Sequence, residues 1–289
     1  MSIGIICALV AMLAWGFGDF LIQRSLRKTG DWETLFIITL FGTIILLPFV
    51  WHELPTMFSF KTATSGILLG AGIMLFLAAL AEFEALRRGK LSVIEPTWSL
   101  EIPTSILFAF LILGERLSTT QIFIIIALIF GLFLVSYRGQ VFTKRFFLER
   151  GVVISIFAAL LMGAANFFVG WGARETDSLL VNFAVNIFSL VGAGIVLIMQ
   201  RKFFKAFRDF AKYPRELTLM CVLDNGAWIA FAFAMAYAPI GLAVALSESY
   251  IIIAVLLGLF VNKEKLQRHQ RLGLILAVIS AIVIATKIF

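Results

Sequence analysis

Apolar residues run along this chain in ten long blocks, broken by short polar stretches. A block of about 20 apolar residues is the length of helix that crosses a roughly 30 Å hydrocarbon core. The blocks predict spans at about 3–23, 34–50, 66–86, 92–113 and 121–137, then 151–173, 179–199, 217–238, 242–261 and 272–286. The predicted fold class is an all-α membrane protein with ten transmembrane helices.

Composition agrees. Of 289 residues, 61% are hydrophobic and only 14% charged, whereas soluble domains are about 45–50% apolar. The longest connections, 138–150 and 200–216, are basic and short, which leaves no room for a soluble catalytic domain. The first block has neither a basic leader nor a small-residue cleavage site, so it is expected to be a retained helix rather than a signal peptide. Cys7 and Cys221 fall in spans without metal or redox spacing and read as packing residues.

The net charge of +7 is unevenly placed. Lys and Arg crowd 24–28, 87–90, 138–150, 201–215 and 263–271, while Lys61, Arg116, Arg174 and Lys287 are all that the opposite side carries. The positive-inside rule then puts both termini outside the cytoplasm. The run RKFFKAFRDFAKYPR at 201–215 interleaves Phe with base beside two spans. It reads as an amphipathic segment facing anionic headgroups, not as a nucleic-acid site.

Compared with itself, the chain repeats at an offset near 150. LAWGFGDFLIQRSLRKTG at 13–30 lies over LLMGAANFFVGWGARETD at 160–177, with Gly16 over Gly163, Asp19 over Asn166 and Arg27 over Arg174. LSV at 91–93 matches LAV at 242–244, and ERL at 115–117 matches EKL at 264–266. Each copy holds five spans, an odd number, so the second is threaded in the opposite orientation. The predicted units are 1–139 and 140–289, two inverted five-helix repeats, with a substrate site near the midplane between them.

Several short motifs carry a family resemblance: Trp15-Gly16 in the first span, Ala85-Leu86 closing the third, and Glu101, Pro103 and Gly114-Glu115-Arg116-Leu117 along and after the fourth. An extra Ile102 separates Glu101 from Pro103, and the second copy keeps only Glu264-Lys265-Leu266. With these the chain resembles the EamA family of the drug/metabolite transporter superfamily over essentially its full length. The resemblance implies a small-metabolite carrier, often an exporter, in a bacterial or archaeal inner or plasma membrane. It also implies termini in the cytoplasm, opposite to the charge pattern.

An ionised side chain at the bilayer centre costs at least about 2.5–3.5 kcal/mol, which makes intramembrane acids functional candidates. Asp19, Glu84 and Glu95 lie shallow, near Arg24, Arg87, Arg88 and Lys90, where interfacial ion pairs explain them as well as substrate does. Glu82 and Glu84 are two apart, about 200° around a helix, so one at most faces a central cavity; Glu82 is the deeper. Glu101 sits at the midplane of span 4 and Glu248 is its near-counterpart in span 9. Pro103 is expected to bend span 4 there.

The expected substrate site adds aromatics at helical spacing from these acids. Trp98 lies three residues from Glu101, Trp15 four before Asp19, Trp228 four after Asp224, and Tyr250 next but one to Glu248. Rings beside carboxylates suit an amino-bearing or cationic metabolite, with protons as candidate coupling ions. Asn166, Asn182 and Asn186 either bind substrate or join helices. A neutral sugar-type metabolite is one alternative cargo. The other alternative is a membrane-embedded enzyme on a lipid or isoprenoid carrier, using Asp19, Glu84 and Glu95. The sequence holds no P-loop, GxSxG, HExxH or Cys/His cluster, so neither enzyme chemistry, cofactor nor metal is expected. Expected partners are the small-molecule substrate and the lipid bilayer, with a monomer or a homodimer as the assembly.

Overall fold

The computed structural model describes residues 2–26, 28–57, 63–88, 97–137, 150–260 and 266–287. All regular structure among them is helical, as lipid requires of a single apolar segment, whose backbone groups find no water to bond. In the first half the long helices are α1 (Ile3–Leu26), α2 (Asp31–Val50), α3 (Ala63–Arg88), α4 (Glu101–Leu113) and α5 (Thr119–Ser136). In the second half, α6 (Arg150–Glu175) and α7 (Ser178–Met199) precede a short α8 (Phe203–Lys212) and α9 (Pro214–Tyr237). The chain closes with α10 (Ile240–Ser247), α11 (Ile251–Phe260) and α12 (Arg268–Lys287). Among the described residues eight stretches are long and apolar enough to cross a membrane, and Ile3–Gly18 and Glu101–Leu113 are shorter apolar helices.

Local chemistry sets the ends. Asp177 caps α7 by accepting from the amides of Leu179 (2.7 Å) and Leu180 (3.3 Å). Ser118 and Gln121 form a reciprocal capping box that opens α5. Gly114 ends α4 at φ 66°, a left-handed position that a side chain rarely takes.

The principal contacts pair α3 with α6, α1 with α9, α5 with α12 and α2 with α7. Every pair joins a helix of the first half to one of the second, so the halves interleave. Small residues make the close approaches, as expected where lipid is as apolar as the side chains. Ala71, Ala78 and Ala85 of α3 recur every seven residues and are fully buried. Large apolar side chains such as Leu111, Phe123, Val191 and Ile275 point outward instead.

The amphipathic segment expected at 201–215 is α8. Phe203 and Phe207 set their rings edge-on to Phe36 at 5.3 and 5.8 Å, while Phe204 and Arg208 face outward. Lys205 ties the helix to α2 and its preceding turn, with Nζ 2.8 Å from Glu33 Oε1 and donating to the Thr29 carbonyl.

Two expectations about helix shape change. Pro103 does not bend the middle of a span: it occupies the first turn of α4, and the chain turns just before it at 99–100. Proline suits a first turn, and its missing N–H leaves the Ser99 carbonyl without the amide that would continue a helix. Span 9, expected unbroken at 242–261, divides into α10 and α11 at a 3₁₀ turn, Glu248–Tyr250. Of the span 4 expectation, 92–96 lie outside the described residues, as does Glu95.

Candidate functional site

The turn at Glu248–Tyr250 is built by serine. Ser249 Oγ donates to the Leu246 carbonyl three residues back, a local bond that competes with the regular helix ladder. Ser247 Oγ donates 3.3 Å to the Ala8 carbonyl of α1, and Ser249 lies 3.4 Å from Met12 Sδ. A single 3₁₀ turn inside a span often marks a functional hinge.

Glu248 leaves this turn half-buried, and Asn166 of α6 donates from Nδ2 to its Oε1 at 3.3 Å. Asn166 is 1% exposed, and its Oδ1 is buried without a hydrogen-bond partner. A buried acceptor left unmade costs about 1–3 kcal/mol, so the pair holds an open demand for a donor.

Three predicted aromatics converge from three helices. Trp15 of α1 meets Trp228 of α9 edge-on at 5.2 Å and Tyr250 at 6.1 Å, and Phe231 closes the group at 5.0 Å from Trp15. Asn182 of α7 pins α9 here by donating to the Trp228 carbonyl at 3.3 Å. Asn186 donates to Asn225 Oδ1 at 3.2 Å, and Asn225 donates on to the Ile38 carbonyl of α2. Both asparagines of α7 therefore join helices.

Glu101 is half-buried at the start of α4, on a helix that touches α10. Its carbonyl accepts from Ser105 Oγ, which also donates to the Gly163 carbonyl at 2.8 Å. Trp98, Glu82 and Asp224 are half-buried as well. The side chain of Asp19 lies outside the described residues. Glu84 forms the expected interfacial pair, accepting from Arg88 one turn on.

These contacts recur at the offset seen in the sequence. A methyl on Gly16 would lie 2.5 Å from Ile253 Cβ, and one on Gly163 would lie 2.6 Å from Thr104 Cβ and 2.7 Å from the Glu101 carbonyl. Each glycine thus lets the first helix of one half press on the fourth span of the other. Thr97, just before the turn at 99–100, donates 3.0 Å to Ser155 of α6. That matches Ser247, just before the second break, on Ala8 of α1.

A sequence profile decides what this architecture is. It matches residues 2–137 and again 149–286. The chain belongs to the EamA-like transporter family. EamA membership with many apolar helices makes it an integral, multi-pass membrane protein. An uncharacterized transporter of Archaeoglobus fulgidus is 22% identical over 195 residues, 68% of this chain and 66% of that relative. A protein of known crystal structure shares the fold at a TM-score of 0.77 and 15% identity, over 100% of this chain and 99% of the other.

The EamA motif after span 4 acquires physical roles. Gly114 caps α4, and Glu115 Oε2 pairs with Arg174 Nη1 at 3.3 Å. Arg174 also donates to the carbonyls of Met235 (2.8 Å) and Ala238 (2.7 Å), so it caps the end of α9 as a cation should. Burial raises the Glu115 pKa, against the opposing pull of Arg174 and of the Ile240 and Gly241 amides that open α10. In the sequence Arg174 stands out only as a minority loop charge, although its alignment with Arg27 is a signal. Asn225, a polar residue beside Asp224 in an apolar helix, is a second signal of the same kind.

Proposed function

We propose that this EamA-family chain is a secondary carrier that moves a small amino-bearing or cationic metabolite out of the cell, in exchange for protons, by alternating access. Ten spans in two inverted five-helix repeats, 1–139 and 140–289, rock about a shared site. The doubled contact pattern of Gly16 with Gly163, and of Thr97 with Ser247, supports that reading. A discontinuous helix at the repeat interface is a recurrent substrate site in such folds.

One observation carries the substrate class: Glu248 and the open acceptor of Asn166 lie beside the break that presents Tyr250 to Trp15, which in turn meets Trp228. A carboxylate, an amide oxygen and ring faces together favour an ammonium group. The free acceptor favours an ammonium that brings N–H donors over a quaternary one. Glu101 is the corresponding acid of the first repeat, and Trp98, Glu82, Asp19 and Asp224 complete the proposed site. The exposed bases of α8 and its flanks lie on anionic headgroups.

The test is counterflow of labelled amines in proteoliposomes under an imposed pH gradient. Glu248→Gln and Glu101→Gln are each expected to reconstitute normally and to abolish transport. Full transport by both variants would overturn the site.

A further inference from the structure

One opening lies between two consecutive helices of the first half. It is a groove of about 480 Å³ between α4 and α5, lined by Pro103, Leu107, Phe110, Ile122 and Ile126 and ending at Glu115 and Arg116. The groove exists because consecutive helices turn away from each other. The buried face of α4, with Ile102, Ser105 and Ala109, packs on α6, while that of α5, with Leu128 and Leu132, packs on α12. Ile106 and Leu117 form its floor over Gly241. Leu107, Phe110, Ile122 and Ile126 are each about half exposed along its rims.

We infer that this groove holds one phospholipid, with an acyl chain between α4 and α5 and its phosphate at Arg116. Length fits: from Pro103 to Leu113 the helix rises about 15 Å, half of a roughly 30 Å core and so one leaflet. Polarity fits: the groove is apolar along its length and charged only at the interfacial end. Charge fits as well. Glu115 is committed to Arg174, whereas Arg116 is exposed and makes no ion pair among the described residues. The mouth is therefore net positive, and a headgroup with net negative charge is preferred over a zwitterionic one. A void of this size facing lipid forfeits dispersion contacts that an acyl chain restores.

Native mass spectrometry of the detergent-purified full chain, supplied with phosphatidylglycerol or with phosphatidylcholine of matched chains, tests this. The wild type is expected to retain one more phosphatidylglycerol than Leu107→Trp, which fills the groove. Arg116→Gln should retain that lipid about fivefold less well and lose the preference over phosphatidylcholine. Lys212→Gln on α8 controls for the other basic surface and should leave the groove lipid in place. Melting temperature checks that each variant is folded, with Ile126→Phe as the second filling variant. Inorganic phosphate is expected to stabilise none of them. Retention unchanged in both filling variants, or equal retention of the two lipids by the wild type, overturns the assignment.

Discussion

Asn166 donates its side-chain amide to Glu248 at 3.3 Å and keeps its own Oδ1 buried and unpaired. The two residues come from α6 and from the break between α10 and α11, so a ligand meeting both would bridge two separate elements of the second half. In wild-type protein a primary amine should bind about tenfold more tightly than its trimethylated analogue, the worth of one charge-assisted hydrogen bond. Asn166→Ala should erase that difference. Calorimetry on purified protein measures it, and equal affinities in the wild type would count against the open acceptor as a substrate contact.

The glycines at 16 and 163 mark equivalent close approaches, so Gly16→Val and Gly163→Val are expected to destabilise the fold alike. Overpacking of this kind costs about 1–3 kcal/mol. Gly66→Ala, where an added methyl meets nothing within 4 Å, should be silent. Thermal unfolding in detergent reads all three. Silence at Gly163 with loss at Gly16 would contradict the structural equivalence.

Glu115 titrates outside the spans with a raised pKa, burial being the leading cause. A raised acid holds more protons folded than unfolded, so its contribution to stability is full below the ordinary carboxyl range and is lost as pH rises through its folded pKa. The melting temperature of wild type relative to Glu115→Gln should therefore fall as pH rises above the ordinary carboxyl range. A flat difference there would show that the carboxyl is not desolvated.

Lys205 neutralises Glu33, whose side chain is only 4% exposed. Burial acts to lower the lysine's pKa, but Glu33 and Asp209 outweigh it and hold the ammonium above its ordinary 10.5. Its contribution is thus complete at neutral pH and lost only as pH rises through the folded value. Lys205→Met should cost about 1–3 kcal/mol, less than a fully buried pair because the lysine is a third exposed. Lys205→Met with Glu33→Gln should recover most of that loss, and no recovery in the double variant would mean that α8 is held by its phenylalanines alone.

Much of the architecture was legible in the residues, and the reasons differ from element to element. Trp15-Gly16 is visible as a motif and its spacing places Trp15 near the face of Asp19, but the contacts of Trp15 with Trp228 and Tyr250 come from across the sequence. Pro103 announced a break correctly near its place and wrongly in its position, because the donor it lacks belongs to the turn before it. The break at Glu248–Tyr250 contains no proline or glycine. It depends on Ser247 and Ser249 docking on α1, a contact from across the sequence.

The sequence alone determined that the chain is a set of apolar, membrane-crossing helices and that it repeats at an offset near 150. Those follow from local facts: apolar length sets what can cross a bilayer, and a backbone in lipid must satisfy itself. Only the tertiary structure decided which polar side chains meet, pairing Asn166 with Glu248, Asn186 with Asn225 and Arg174 with Glu115. In water a hydrophobic stripe tells which face of a helix turns inward. In lipid both faces are apolar, so the choice of partner rests on small-residue contacts and single hydrogen bonds that no period along the chain records.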